Sequence, residues 1–300
     1  MDERRNGLMF AFAAAMVSGV SVFLNKSALA FFPDPFGFTG LKNLFVAIFL
    51  ASGILLFSRN ELLRISKNDL RNLIIIGIIG GSIPFMLFFW GLSQGNAPNS
   101  SLLQKTLFIP ASALAFLFLK ERLSVKQILG AILLFVGAAL LSGITPFSLS
   151  IGEFAILAAV ALWSIEDIIS KAVLKAISTP VVVLGRMLFG SLVVLAYVTL
   201  TSGFPNLLSL SAEATTWLLL TVFLLLGYNL AFYSGLKRLK VGESTSILVI
   251  GSFVTTILSA LFAVQPIALC GIVGMFAIAA GAGLIAFFPE KEKQPVTLSS

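Results

Sequence analysis

A chain of 300 residues is long enough for one or two domains, but 58% of it is apolar and 11% charged, with a mean hydropathy of +1.04, and a water-soluble protein of this size cannot bury that much apolar surface and still cover itself with polar groups. The net charge of +7 is spread over short gaps between apolar runs, the pattern of residues that orient a chain in a membrane rather than of a nucleic-acid interface. One cysteine, Cys270, and no histidine exclude an intrachain disulfide and a cysteine metal cluster, and make a heavy-metal carrier or a histidine-based hydrolase a poor fit.

Apolar runs read against breakers and charges predict ten spanning helices, at 7–31, 36–58, 70–92, 98–119, 125–143, 152–172, 180–201, 214–236, 241–264 and 267–288. The first follows Arg4 and Arg5 and contains Ala28-Leu29-Ala30, which is similar to a signal-peptidase site. The run is longer than the roughly 7–15 residues of a signal core, so it is expected to stay as a helix, with Lys26 snorkelling at its outer end beside Asn25. Pro33-Asp34-Pro35 turns the chain into the second span, which carries Lys42. The third holds Gly77, Gly80, Gly81, a deep Pro84 and Trp90; the glycines suit close packing, and a mid-span proline frees a carbonyl that packing or a ligand must satisfy. The fourth carries a polar strip, Ser100, Ser101, Gln104 and Lys105, and then Pro110. The fifth has Gly130 and Gly137, the sixth Trp163, Glu166 and Asp167, and the seventh Arg186. The eighth carries the interfacial Trp217, then Tyr228, Asn229 and Tyr233, and the last two meet at Gln265-Pro266. Spans of about 20 residues are far longer than barrel strands, so the fold class is an all-α integral membrane bundle.

With the N-terminus in the cytoplasm, sixteen of the twenty Lys and Arg residues fall on the inside, none in an outside loop, and four (Lys26, Lys42, Lys105 and Arg186) within spans. An error of one helix in the count would scramble this bias downstream. The expectation is a multi-pass protein of the inner or plasma membrane with both termini cytoplasmic.

Sliding the chain on itself by 144 residues places Leu44-Phe45 on Leu188-Phe189 and Lys42 on Arg186. It also places Phe88, Gly91 and Leu92 on Phe232, Gly235 and Leu236, and Gly130, Gly137 and Ala138 on Gly274, Gly281 and Ala282. Near the first helix the offset becomes 145, matching Lys26 with Lys171 and Leu29 with Leu174. Two five-helix units are implied, 7–143 and 152–288, followed by a short cytoplasmic tail, 289–300. Five is odd, so the second unit is inverted, as in transporters with a midplane site between repeats.

The run Phe118-Leu119-Lys120-Glu121-Arg122-Leu123, with Pro110 before it and Gly130 and Gly137 after it, resembles the EamA-type permeases of the drug/metabolite transporter superfamily, over about residues 7–288. Lys42 stands where that family usually has arginine, Arg186 keeps it, and Gln265-Pro266 departs from the Glu-Arg pair that many members repeat. The resemblance implies ten helices around a central cavity and alternating access by rocking halves, and it implies no particular substrate.

Ionisable groups inside spans are costly and mark functional positions. Asp167 has two readings, an ion pair with Lys171 one turn on or a carboxylate facing the cavity. With Glu166 it is the candidate proton carrier or amine site. Lys42 and Arg186, near opposite faces, are expected to snorkel, pair or guard separate entrances rather than clamp one ligand. Lys105 and Gln104 are expected to line the outer half of the cavity, with Trp163, Asn229 and Tyr233 added from the aromatic and amide residues. Basic groups on a common path favour an anionic or zwitterionic, amino-acid-like metabolite, carried by secondary active transport with protons as a candidate coupling ion. An exporter of cationic drugs or amines and a lipid flippase are the alternatives. No enzyme activity, cofactor, metal or nucleic acid is expected; the partners are the small-molecule substrate and membrane lipid, and the sequence carries no signal of oligomeric state.

Overall fold

The computed structural model describes residues 2–32, 34–142, 150–203, 210–262 and 269–288. In chain order its helices are α1 (Asp2–Ala28), α2 (Pro35–Phe57), α3 (Arg59–Leu63), α4 (Lys67–Ile76), α5 (Ile83–Gln94), α6 (Ala97–Lys105), α7 (Phe108–Leu114), α8 (Val125–Ser142), α9 (Ile151–Val173), α10 (Thr179–Ser202), α11 (Ala212–Arg238), α12 (Val241–Ile247), α13 (Ile250–Phe262) and α14 (Leu269–Phe287). Among the described residues eight continuous or near-continuous rods are long and apolar enough to cross a bilayer. Two more pack among them: α8, with a shorter apolar stretch at Val125–Leu141, and α9, 23 residues long and carrying Glu166, Asp167 and Lys171. The Gln265-Pro266 turn, Pro33 and the tail 289–300 lie outside the described residues.

Helix starts follow from side chains that satisfy the first free N–H groups. Asp34 accepts from Phe36 and Gly37 ahead of α2, Ser66 and Asp69 form a capping box at α4, Ser150 and Glu153 form another at α9, and Ser211 caps α11. Three of the expected spans are interrupted. The third divides into α4 and α5 around a wide π-helical segment, Gly77–Ser82. The fourth breaks between α6 and α7 and ends in a second π segment, Ala115–Leu119. The ninth breaks between α12 and α13 at Leu248-Val249.

The rods pack as α1 against α11, α5 against α9, α2 against α10, α6 against α13 and α8 against α14. Lipid supplies no hydrophobic drive between helices, so close backbone approach has to hold them together. The α8–α14 seam shows how. A Cβ on Gly130 would lie 2.7 Å from the Gly281 carbonyl oxygen, and one on Gly137 2.6 Å from that of Gly274. The reverse distances are 2.5 Å from Gly281 to Gly130 and 2.4 Å from Gly274 to Gly137. The contacts cross the pairs that the sequence makes at an offset of 144: Gly130 meets the counterpart of Gly137, and Gly137 that of Gly130.

Gly137→Ala is therefore expected to destabilise the bundle by about 1–3 kcal/mol through overpacking. Gly53, whose added Cβ meets nothing within 4 Å, is expected to gain roughly 0.5–1 kcal/mol on conversion to Ala through helix propensity. Thermal melting of the two variants in detergent should move in opposite directions.

Candidate functional site

Pro84 organises the middle of the bundle. It has no N–H to offer the carbonyl four residues back, which belongs to Gly80. In hydrocarbon that oxygen needs another donor, and the indole Nε1–H of Trp163 on α9 supplies it at 3.0 Å. The next carbonyl, Gly81, accepts from Asn43 Nδ2 on α2 at 2.9 Å. The π segment is thus tied to two neighbouring helices. Its glycines are required by approach: a Cβ at Gly80 would fall 2.3 Å from Glu166 Cγ, and one at Gly81 2.0 Å from the Arg186 carbonyl oxygen. Pro110 acts likewise on α6–α7, where the Thr106 carbonyl accepts instead from Ile109 N at 2.9 Å, and the break follows Lys105 directly.

The bulged and broken rods surround one central cavity. Lys42, Gln104, Lys105, Trp163, Asp167 and Arg186 all line it, with Ser18, Asn25, Phe85, Phe88, Phe89 and Tyr228 among the other wall residues. Counted over positions that the centre of a water can occupy, its volume is ≈50 Å³. That is room for a few waters, each needing about 10–15 Å³ on this measure, and less than a metabolite requires.

The polar groups on the wall are held by few partners. Lys42, fully buried, donates to Asn25 Oδ1 at 3.0 Å, with its Nζ 3.7 Å from the Phe89 ring centroid and 4.8 Å from that of Phe38. Lys105 donates to Ser18 Oγ at 2.6 Å and Gln104 Oε1 at 2.9 Å. Asp167 is 2% exposed, and its Oδ2 has no hydrogen-bond partner. Arg186 donates to Asn229 Oδ1 at 2.8 Å, lies 3.4 Å through Nε from Glu166 Oε2, and sits over the Phe85 and Tyr233 rings.

Three of the sequence-selected residues stand behind this wall. Glu166 Oε1 accepts from Tyr233 OH at 2.6 Å and from Ser170 Oγ, and Asn229 Nδ2 donates to the Leu225 carbonyl at 2.7 Å. Glu166, Asn229 and Tyr233 therefore hold Arg186 rather than facing the cavity.

Three sequence expectations are revised. Lys42 and Arg186 line the same cavity. Each lies seven residues inside its helix, about 10 Å of rise, and long side chains carry both heads to the middle. Asp167 does not pair with Lys171, whose Nζ instead donates to the Leu236 and Leu239 carbonyls at 2.6 Å each, closing the C-terminal end of α11. Lys26 does not snorkel; its Nζ donates to the Leu92 and Ser93 carbonyls at 3.0 Å each at the end of α5. The two lysines, paired at an offset of 145, do the same work at equivalent helix ends.

One end of the bundle is stitched by polar contacts. Arg4 pairs with the buried Glu243 of α12 and donates to the Ala286 and Ile285 carbonyls of α14 at 2.9 and 3.1 Å. Glu121 accepts from Val241 N at 2.6 Å, and Lys240 Nζ donates to the Arg122 carbonyl at 2.6 Å. Trp217 stacks on Phe31, while Trp90 lies in a lateral cleft with Phe36 and Tyr197. Sequence reasoning missed Ser18 and Asn43 and set Asn25 aside as interfacial. Their signal was that polar side chains sit within apolar spans, but nothing local shows which neighbour they face.

Residues 5–143 and 150–287 each match the model of the EamA-like transporter family. An uncharacterized transporter of Methanothermobacter thermautotrophicus is 31% identical over 114 residues, 36% of this chain and 33% of that protein, so the match spans about a third of that relative's length. A crystal structure described only as that of a protein superposes with a TM-score of 0.75 at 18% identity, over 93% of this chain and 95% of that one, which is a likeness of fold.

The Pro84–Gly80–Trp163 arrangement has a direct check. Trp163→Phe leaves a buried carbonyl unsatisfied and is expected to cost about 1–3 kcal/mol. Adding Pro84→Ala returns an N–H to the Gly80 carbonyl, and melting of the double variant should recover part of that loss.

Proposed function

The chain belongs to the EamA-like transporter family, and from that premise we propose that it is a secondary active transporter of a small zwitterionic or anionic, amino-acid-like metabolite. It is a multi-pass membrane transporter; the substrate class, the coupling and the route are our reading. The observation that carries it is the set of ionisable groups on the cavity wall and the partners they lack. Buried Lys42 and Lys105 are held by neutral oxygens, while the Asp167 Oδ2 is unpartnered on the same cavity. Ionisable groups of both signs on one buried wall suit a ligand that brings both charges. The aromatic rings of Phe85, Phe88 and Trp163 suit its apolar part.

Counting α8 and α9 with the eight apolar rods gives ten spans, and the basic residues then put both termini in the cytoplasm. The two matched stretches are read as inverted five-helix repeats. Supporting this, α1 packs on α11 as α9 packs on α5, and exchanging the halves turns one contact into the other. Transport then proceeds by alternating access. The Arg4–Glu243 pair and the contacts around it close the cytoplasmic end, and they must part for the cavity to open inward. The small cavity volume fits such a closed state. Two lateral clefts, between α13 and α14 and beside Trp90, have apolar walls, unlike the polar sideways groove a flippase needs.

In proteoliposomes the wild-type chain is expected to exchange amino acids in counterflow, faster with an imposed pH gradient. Asp167→Asn should reduce zwitterion transport by at least about tenfold, since a buried polar site left without its partner discriminates strongly. Thermal stabilisation by quaternary amines alone, with none from amino acids or organic anions, would overturn the substrate class. Unchanged proton-coupled exchange in a Glu166→Gln, Asp167→Asn double variant would remove these two carboxylates as the proton carriers.

A further inference from the structure

We propose that the substrate's negatively charged group is bound by Lys42 and Asn25, acting as the counter-ion that Glu166 supplies to Arg186 in the other half of the molecule. The proposal rests on the reading above of two related halves and a substrate carrying negative charge.

The equivalence is fixed by contacts at both ends of the helices concerned. At one end a Cβ on Gly91 would lie 2.4 Å from the Gly152 carbonyl oxygen, and a Cβ on Gly235 3.4 Å from that of Gly7. At the other end Lys26 donates to the Leu92 and Ser93 carbonyls, as Lys171 donates to those of Leu236 and Lys237. Between these brackets α1 and α9 correspond at an offset of 145, so Ser21 matches Glu166 and Asn25 matches Ser170. On α2 and α10, Lys42 matches Arg186 at 144.

The same three positions come together in both halves, but the cation meets a different member of the set in each. In the second half Ser170 donates to Glu166 one turn away, and the Glu166 carboxylate lies 3.4 Å from Arg186 Nε. In the first half Asn25 Nδ2 donates to Ser21 Oγ one turn away at 3.0 Å, and Asn25 Oδ1 accepts from Lys42 Nζ at 3.0 Å. The cation's contact thus moves one turn, from the Glu166 position in the second half to the Ser170 position in the first, where Asn25 stands and no carboxylate is present. Among the described residues no Asp or Glu oxygen lies within ion-pair distance of Lys42. The Phe89 and Phe38 ring centroids lie 3.7 and 4.8 Å from the ammonium, and Lys42, Asn25 and Phe89 all stand on the cavity wall. An anion in the cavity would meet Lys42 and Asn25 as neighbouring wall residues. Lys105 has no such template, because its equivalent is the apolar Val249.

The test is thermal melting of the purified full-length chain, titrated with acetate, methylammonium and glycine as separate probes. Wild-type protein is expected to be stabilised by acetate and glycine. Asn25→Asp is isosteric and gives Lys42 its own carboxylate, so the midpoints for acetate and glycine should weaken by at least about tenfold through like-charge repulsion and loss of the free cation. Methylammonium should be unaffected. Ser21→Glu, which rebuilds the arrangement of the second half, should act in the same way, and Ser21→Gln should not; this pair carries the test if Asn25→Asp fails to fold. Acetate and glycine binding unchanged in both carboxylate variants would overturn this seat while leaving the broader substrate reading standing. A wild-type response to methylammonium alone, or to none of the probes, would overturn both.

Discussion

Hydrocarbon offers no hydrogen-bond partner, so a polar group placed at membrane depth must find one inside the protein. Around the centre of this bundle that requirement sets the architecture. Pro84 withholds the N–H that the Gly80 carbonyl would take, and Trp163 replaces it. Asn43 does the same for Gly81, so α2, α5 and α9 are fastened through backbone oxygens of one π segment. The glycines of that segment exist because Glu166 and the α10 backbone come too close for any Cβ. The helix irregularity, the close approach and the buried ion pair are one connected arrangement.

The buried charges divide by what holds them. Arg186 is held by a carboxylate, an amide and two aromatic rings. Such a set compensates a guanidinium within the protein and makes it part of the frame. Among the described residues Lys42 and Lys105 are held by neutral oxygens and, for Lys42, ring faces. In a low-dielectric interior a charge held in that way remains available to an incoming counter-ion. The two stretches that match one family model therefore differ in chemistry: Arg186 in the second has a carboxylate 3.4 Å away, whereas among the described residues Lys42 in the first has none within ion-pair distance.

What local covalent structure dictates is legible in the sequence, and what depends on which helices meet is not. Pro84 was marked as freeing a carbonyl, and that follows from covalent structure alone. The donor was not legible, because Trp163 lies 83 positions from Gly80. The alternative pairing of Asp167 with Lys171 came from helical spacing, yet the unsatisfied carbonyls at the end of α11 compete for the ammonium more effectively than a residue on its own helix. Lys26 looked interfacial for the same reason and proved to close the end of α5.

Composition and the length of the apolar runs determined a membrane-embedded helical chain, since a hydrophobic solvent admits little else. Residues 5–143 and 150–287 each match one family model. Tertiary structure alone decided that Lys42 and Arg186 share a cavity, that Glu166, Asn229 and Tyr233 stand behind its wall, and that Asn25 belongs to it. The reason is physical. Hydropathy records how deep a side chain lies along the bilayer normal, whereas a binding site depends on the rotation of each helix about its axis and on its neighbours. Those are fixed by packing among residues far apart in the chain.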